Sequence, residues 1–252
     1  MPFENDREDI IEGRNAVIEA LRSGRSIDKI YLAKGETDKT LGHIAAKARD
    51  AGIVVVRTDR RKLDAMSANP AKAHQGVIAV AAVREYCSVD DILALAEERG
   101  EAPFVILCDE ISDPHNLGAV LRAAECAGAH GVIIPKRRSA GITGIVEKTS
   151  AGAAEHVLVA RVPNLTAAIR ELKDRGLWIY GAAADGAKSL WDTDFTGPAA
   201  IVIGSEGDGM GRLVAEQCDF LVNIPLRGRI DSLNAATAAG VLMYEVLRQR
   251  TH

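Results

Sequence analysis

Residues 200–211 read Ala-Ile-Val-Ile-Gly-Ser-Glu-Gly-Asp-Gly-Met-Gly. The run Ala200–Ile203 is apolar throughout, without the alternation of a half-buried strand. Such a run predicts a parallel strand covered on both faces. Glycines follow at 204, 207, 209 and 211. They let the backbone turn sharply, take positive φ and approach a ligand closely. The loop lacks the Gly-Lys-Ser/Thr of a Walker site and the spaced glycines of a dinucleotide fingerprint. Glu206 is ill suited to a phosphate cradle and well suited to a cationic ligand or a hydroxyl. A plain strand-to-helix turn explains the same residues without any ligand.

The same kind of strand recurs outward from this point. Strands are predicted over Phe104–Cys108, Gly131–Ile134, Val157–Val162, Leu177–Ala182 and Phe220–Asn223. Helices are predicted between them, over Asn116–Ala127, Leu165–Arg175, Gly211–Gln217 and Ser232–Arg250. Alternation of this kind predicts an α/β layer fold. A smaller alternating series precedes it: helix Gly13–Leu21, strand Ile27–Leu32, helix Leu41–Ala51, strand Ile53–Val56, helix Arg60–Met66 and strand Gly76–Val83, with Asn69-Pro70 as a breaker. The boundary falls at Arg84–Ser88, before a helix Val89–Arg99 ended by Gly100. The expected organisation is a domain over residues 1–84 with residues 1–9 flexible, a linker and leading helix over 85–102, and a second domain over 103–252.

The chain has 252 residues, 47% hydrophobic and 26% charged, ordinary for a water-soluble globular protein. It holds no apolar run long enough to span a membrane. Its first residues are polar, without the apolar stretch of a secretory signal, so the cytoplasm is expected. Cys87, Cys108, Cys126 and Cys218 form no Cys-x-x-Cys pair and are expected to be buried thiols, without metal or disulfide roles. The net charge of −4 hides an asymmetry. Residues 1–84 carry 15 Lys and Arg against 12 Asp and Glu, a net of +3, and the remainder carries 16 against 23, a net of −7. Basic clusters stand at Arg60-Arg61-Lys62 and Lys136-Arg137-Arg138. Polyanion binding follows local potential, so such clusters count for more than the total.

Two further segments carry polar residues in unusual settings. In Asp113-Pro-His-Asn-Leu-Gly-Ala-Val-Leu-Arg122, Asp113 reads as a helix N-cap and Pro114 as the first helical residue. Leu117, Val120, Leu121 and Ala124 fall on one face. Arg122 lies on another, three residues before Glu125, and a surface salt bridge is its plain reading. In the last segment a strand ends at Ile224-Pro225, and Ser232-Leu-Asn234 opens a long helix rich in small residues. Ser232 reads as its N-cap. Asn234, a weak helix former in the first turn, is less well explained.

Taken together and in order, the three segments resemble the three motifs of the SpoU-type RNA ribose 2′-O-methyltransferases, of the SPOUT group. The resemblance runs from about Ile11 to Arg250. It implies an α/β-knot catalytic domain, trefoil-knotted, with a mainly parallel sheet. It implies S-adenosylmethionine (SAM) as cofactor, no metal, and a homodimer formed through that domain. His74-Gln-Gly-Val77 is similar to the family's N-terminal substrate-binding domain, which is L30e-like and grips RNA. Carried over residue by residue, Asn116, Arg122 and Glu125 match motif 1, with Arg122 implicated in activating the ribose hydroxyl. Glu206, Ser232 and Asn234 match other active-site positions. Gly204, Ser205, Gly209, Ile224, Pro225 and Leu233 match the cofactor site. An arginine is a very poor base, so electrostatic stabilisation is its more conservative role, and the final proton acceptor is open. The implied substrate is a guanosine of 23S ribosomal RNA near the peptidyl-transferase centre. Transfer RNA is the alternative target, and a non-catalytic RNA-binding protein of the same fold the alternative class.

Overall fold

A computed structural model describes residues 10–35, 38–67, 74–82, 85–184 and 188–251. The expected break at Asn69-Pro70, the expected flexibility of residues 1–9, and the expected strand end and boundary at Val83 and Arg84 lie outside them. The chain divides into two compact units, residues 1–85 with 141–144, and residues 86–140 with 145–252.

The first unit holds β1 (Ile10–Glu12), α1 (Arg14–Arg22), β2 (Ile27–Ala33), α2 (Lys39–Asp50), β3 (Val54–Thr58), α3 (Arg60–Met66) and β4 (Val77–Ala81). The sheet order is β1-β4-β2-β3. The β1 strand was not foreseen. It is only three residues long and pairs antiparallel with β4 at the sheet edge. The core beneath α1 and α2 joins Val17, Ile30, Leu32, Leu41, Ile44 and Val77. The segment His74–Val77 is a lock for the entry to β4. The ring of His74 is fully buried; its Nδ1 accepts from Gly76 N at 3.1 Å and its Nε2 meets Asp64 at 3.0 Å. Gln75, at φ 51°, receives two hydrogen bonds from Arg14, whose guanidinium also pairs with Asp38 at 2.8 Å. Arg60, Arg61 and Lys62 are exposed along α3.

The second unit opens with α4 (Val89–Arg99), whose N-terminus is closed by a reciprocal Ser88–Asp91 capping box. Then come β5 (Phe104–Cys108), α5 (Pro114–Cys126), β6 (Gly131–Pro135), α6 (Gly144–Thr149), β7 (Leu158–Val162), α7 (Leu165–Asp174), β8 (Trp178–Ala182), β9 (Lys188–Ser189), β10 (Ala199–Ile203), α8 (Arg212–Ala215), β11 (Phe220–Asn223) and α9 (Ala235–Thr251). Seven strands lie in the order β7-β6-β5-β10-β8-β11-β9, paired in parallel throughout. The apolar runs behave as read: every residue of β5 and β10 is buried. Leu117, Val120, Leu121 and Ala124 of α5 are fully buried, and α5 packs on α9. The two-residue strand β9 and the short helix α6 carry too little periodicity to be seen in sequence.

Two expectations are corrected. Helix α9 begins at Ala235, three residues later than expected, because Asn234 and not Ser232 caps it. Asn234 Oδ1 accepts from Ala236 N and Thr237 N at 3.0 and 3.2 Å. Of the four thiols, Cys108 is buried and Cys87 and Cys218 half-buried, but Cys126 at the end of α5 faces solvent. All four are free, and burial pushes the Cys108 thiol up to about 12. No helix among the described residues is long and apolar enough to cross a membrane.

Candidate active site

Strands β5, β6 and β7 run to one side of the sheet, and β8 starts on the other. The late strand β10 fills the gap between β5 and β8. Ligands of open parallel sheets bind outside the carboxyl ends of strands where the order reverses. Those ends carry Asp109 after β5 and Gly204 after β10.

The loop after β10 closes on itself. Ser205 and Gly209 exchange backbone hydrogen bonds at 3.0 and 3.1 Å, with Gly207 at φ 92° and Gly209 at φ 66°. Gly204 is needed for this closure. A Cβ there would stand 2.1 Å from the Gly209 carbonyl carbon and 2.2 Å from Met210 N. Asp109, which sequence reasoning missed, ties the loop to β5. Its Oδ2 accepts from Gly211 N at 2.7 Å, and its own N–H donates to Ile203 O at 2.7 Å. It is 5% exposed, and burial holds its carboxyl above the usual aspartate value. Its position at the end of an apolar strand was a readable signal.

Three sequence-predicted residues meet in front of this loop. Asn116, in the first turn of α5, donates from Nδ2 to Glu206 Oε2 at 3.2 Å. Asn234 Nδ2 donates to Glu206 Oε1 at 2.8 Å and to Asn116 Oδ1 at 2.9 Å. One asparagine thus caps α9 with its oxygen and ties Glu206 to α5 with its nitrogen. Local causes position each member: the Asp113 cap and Pro114 start α5 at the right residue, and the closed glycine loop presents Glu206. A carboxylate held by two amides keeps lone pairs for a further donor, such as a hydroxyl.

The remaining residues divide. Ser205, Gly209, Ile224, Pro225 and Leu233 line the segments that leave β10 and β11 at the same end of the sheet. Leu226, Ile230 and Leu233 there are 40%, 74% and 37% exposed. These side chains leave apolar surface exposed on the segment that leads into Asn234. Ser232 stays outside the triangle, its Oγ donating to the neighbouring Asp231 at 3.3 Å. Arg122 is not drawn in either. It lies six residues beyond Asn116, about 9 Å along the helix. Its side chain is exposed, and neither it nor Glu125 forms an ion pair among the described residues. The expected surface salt bridge is therefore absent.

Comparison with known proteins agrees with this layout. The SpoU rRNA Methylase family profile matches residues 103–244, and the profile for RNA 2′-O ribose methyltransferase substrate binding matches residues 10–87. The TrmH family tRNA/rRNA methyltransferase YacO of Bacillus subtilis is 46% identical over 246 residues, 98% of both chains. A Staphylococcus aureus protein of the same description is 45% identical over 241 residues, 96% of both chains. Among solved structures, the SpoU methyltransferase AviRb of Streptomyces viridochromogenes, in complex with AdoMet, superposes with a TM-score of 0.60. It is 24% identical and covers 96% of this chain and 90% of its own. An RNA methyltransferase of the TrmH family from Porphyromonas gingivalis gives 0.56 at 26% identity, covering 96% and 91%. With one profile spanning most of the second unit, the other most of the first, and relatives matched over nearly their whole length, the chain belongs to the SpoU rRNA methylase family of TrmH-type RNA methyltransferases.

Proposed function

We propose that this protein transfers a methyl group from SAM to a ribose 2′-hydroxyl of structured RNA, with a guanosine of 23S ribosomal RNA near the peptidyl-transferase centre as its target. The observation that carries the reading is the Asn116–Glu206–Asn234 triangle. It joins residues from three separated segments at the one end of the sheet suited to a ligand. A degenerate, purely RNA-binding relative would have no use for such a constellation.

SAM supplies, when bound, an electrophilic methyl group on a positively charged sulfonium. Gly204, Ser205, Gly209, Ile224, Pro225 and Leu233 would hold it, largely through backbone groups, and the exposed apolar side chains of that segment suit its adenine. Glu206, fixed by the two asparagines, accepts a hydrogen bond from the ribose and orients it. Ser232, on the exposed segment beside Asn234, is a second polar contact to the substrate. Arg122 binds the adjoining phosphate and stabilises negative charge that develops on the attacking oxygen. Its exposure, with no ion-pair partner among the described residues, leaves its guanidinium available for that anion. Its distance from the triangle suits a homodimer formed through the catalytic unit, in which α5 of one subunit serves the other's site. The first unit, with its positive balance and exposed Arg60-Arg61-Lys62, grips the RNA, the active chain works in the cytoplasm, and the catalytic chain is threaded as a trefoil knot.

The test is mapping of 2′-O-methyl sites in ribosomal and transfer RNA from cells with and without the gene. One 23S guanosine losing its methyl group supports the proposal. A lost transfer-RNA methyl group instead would move the substrate, and no change in either would refute the activity.

A further inference from the structure

The loop between β6 and the turn at Ala140 carries Lys136, Arg137 and Arg138 in succession. It is fixed at both ends. Lys136 N donates to Val162 O at 2.8 Å, Ala140 N to Ile111 O at 2.8 Å, and Ser139 Oγ to Ile111 O at 3.3 Å. Ile111 belongs to the turn that runs from Asp109 into the Asp113 cap of α5, and Asp109 in turn holds Gly211. The basic loop is thereby hydrogen-bonded to the same turn that positions Asn116.

Within this loop Arg138 takes the left-handed conformation, φ 55°, and its partner Glu110 does so too, φ 58°. Neither is a glycine, and such backbone costs energy that the surrounding hydrogen bonds must over-determine. The pair is joined by Arg138 Nη1 to Glu110 Oε1 at 2.6 Å, with the side chains 76% and 41% exposed. An exposed pair of this kind is weak and easily exchanged for another anion. Arg137 beside it is exposed and forms no hydrogen bond or ion pair among the described residues.

We infer that Arg137 and Arg138 form a phosphate clamp on the catalytic unit, which takes the RNA backbone next to the target ribose, with Glu110 occupying Arg138 until a phosphate displaces it. The clamp rests on the reading that RNA is the substrate. Planar guanidinium forks match phosphate oxygens in pairs, and a preorganised loop loses little freedom on binding. The clamp adds to the first unit a second grip that fixes register at the site.

The experiment is filter binding of a protein-free 23S ribosomal RNA transcript across a salt series, with wild type and the doubly substituted Arg137→Ala, Arg138→Gly protein. Glycine is chosen at 138 because it accepts positive φ without strain. Loss of two phosphate contacts should flatten the plot of log affinity against log salt by about 1.5, and lower affinity roughly 15-fold at 0.15 M salt. SAM affinity, read by calorimetry, should not change. An unchanged slope with a folded protein overturns the clamp. If circular dichroism shows the double variant unfolded, Arg137→Ala alone decides, since its side chain forms no hydrogen bond or ion pair among the described residues: half the slope change supports the clamp, none overturns it. A wild-type protein that fails to bind the RNA at all would instead overturn the proposed substrate.

Discussion

Replacing Asn234 separates its two duties. Asn234→Ala removes the helix cap, worth about 1 kcal/mol for an asparagine. In a chain of this size that is a fall of about 2–4 °C in Tm. It also removes both donations from Nδ2, at 2.8 Å to Glu206 and 2.9 Å to Asn116. Asn234→Ser keeps an oxygen that can accept from Ala236 N and Thr237 N, and serine caps helices as well as asparagine does. Its stability should therefore stay within a few tenths of a kcal/mol of wild type, roughly 1 °C. Its donor to Glu206 is gone all the same. Glu206 is exposed on a glycine loop, so with one tether lost it swings away from its position. Displacement of a positioning group by about 1 Å can cost on the order of 10²-fold in rate. The assay is thermal unfolding of both variants beside single-turnover methyl transfer to ribosomal RNA. Expected are a stable but slow serine variant and an alanine variant both slow and less stable. A serine variant with wild-type turnover would refute the triangle as part of the site, and one as unstable as alanine would refute the cap.

Arg122→Ala should lower single-turnover methyl transfer by about 10²–10⁴-fold while calorimetric SAM affinity holds, because its helix position is remote from the glycine loop; near-normal turnover would remove Arg122 from the mechanism. Gly204→Ala should already weaken SAM binding at least about tenfold, since a Cβ 2.1 Å from the Gly209 carbonyl carbon forces the loop open, and unchanged affinity in the same titration would show that the loop holds no cofactor. Glu245, buried on α9, accepts from Arg248 Nε and Nη2 and from Gln249, and these contacts, Arg248 first, hold its carboxyl below the ordinary glutamate value of 4.5. A depressed acid stabilises the fold above its unfolded pKa and loses that contribution as pH falls through the folded one. Glu245→Gln should therefore cost about 1 kcal/mol at pH 7, moderated by the exposure of Arg248, and the Tm gap to wild type should narrow as pH falls below the ordinary glutamate value of 4.5. A gap independent of pH would show that the carboxylate's charge is not its source.

How much of this was legible in sequence varies with the physics involved. Strands such as β5, β10 and β11 could be bounded to within a residue because fully apolar runs between turn residues have few other homes. The buried face of α5 followed from helical periodicity alone. The start of α9 was misplaced because Ser232 and Asn234 are equally good caps in isolation. The choice between them is tertiary: Asn234 has two partners to satisfy on elements 28 and 118 residues away. Asp109 escaped notice for the same reason, its role depending on a loop 102 residues later. Gly204 reads in sequence as a glycine that lets a ligand come close, and the backbone that comes close to it is that of its own loop. Arg122 could be placed on the outer side of α5 by periodicity, and nothing local could say what lies opposite it.

The placement of β10 between β5 and β8 has a consequence for how the chain reaches its native state. Until β10 arrives, the sheet is two separate pieces with open apolar edges, and its filling requires closure over about a hundred residues of chain. Parallel, non-local pairing of this kind is slow to form and leaves sticky intermediates. Glu206 rides on β10 and joins Asn116 across 90 residues, so no partly folded species can hold the polar triangle. On the proposed function, activity therefore reports complete topology, and a slow step that delays β10 delays its onset as well.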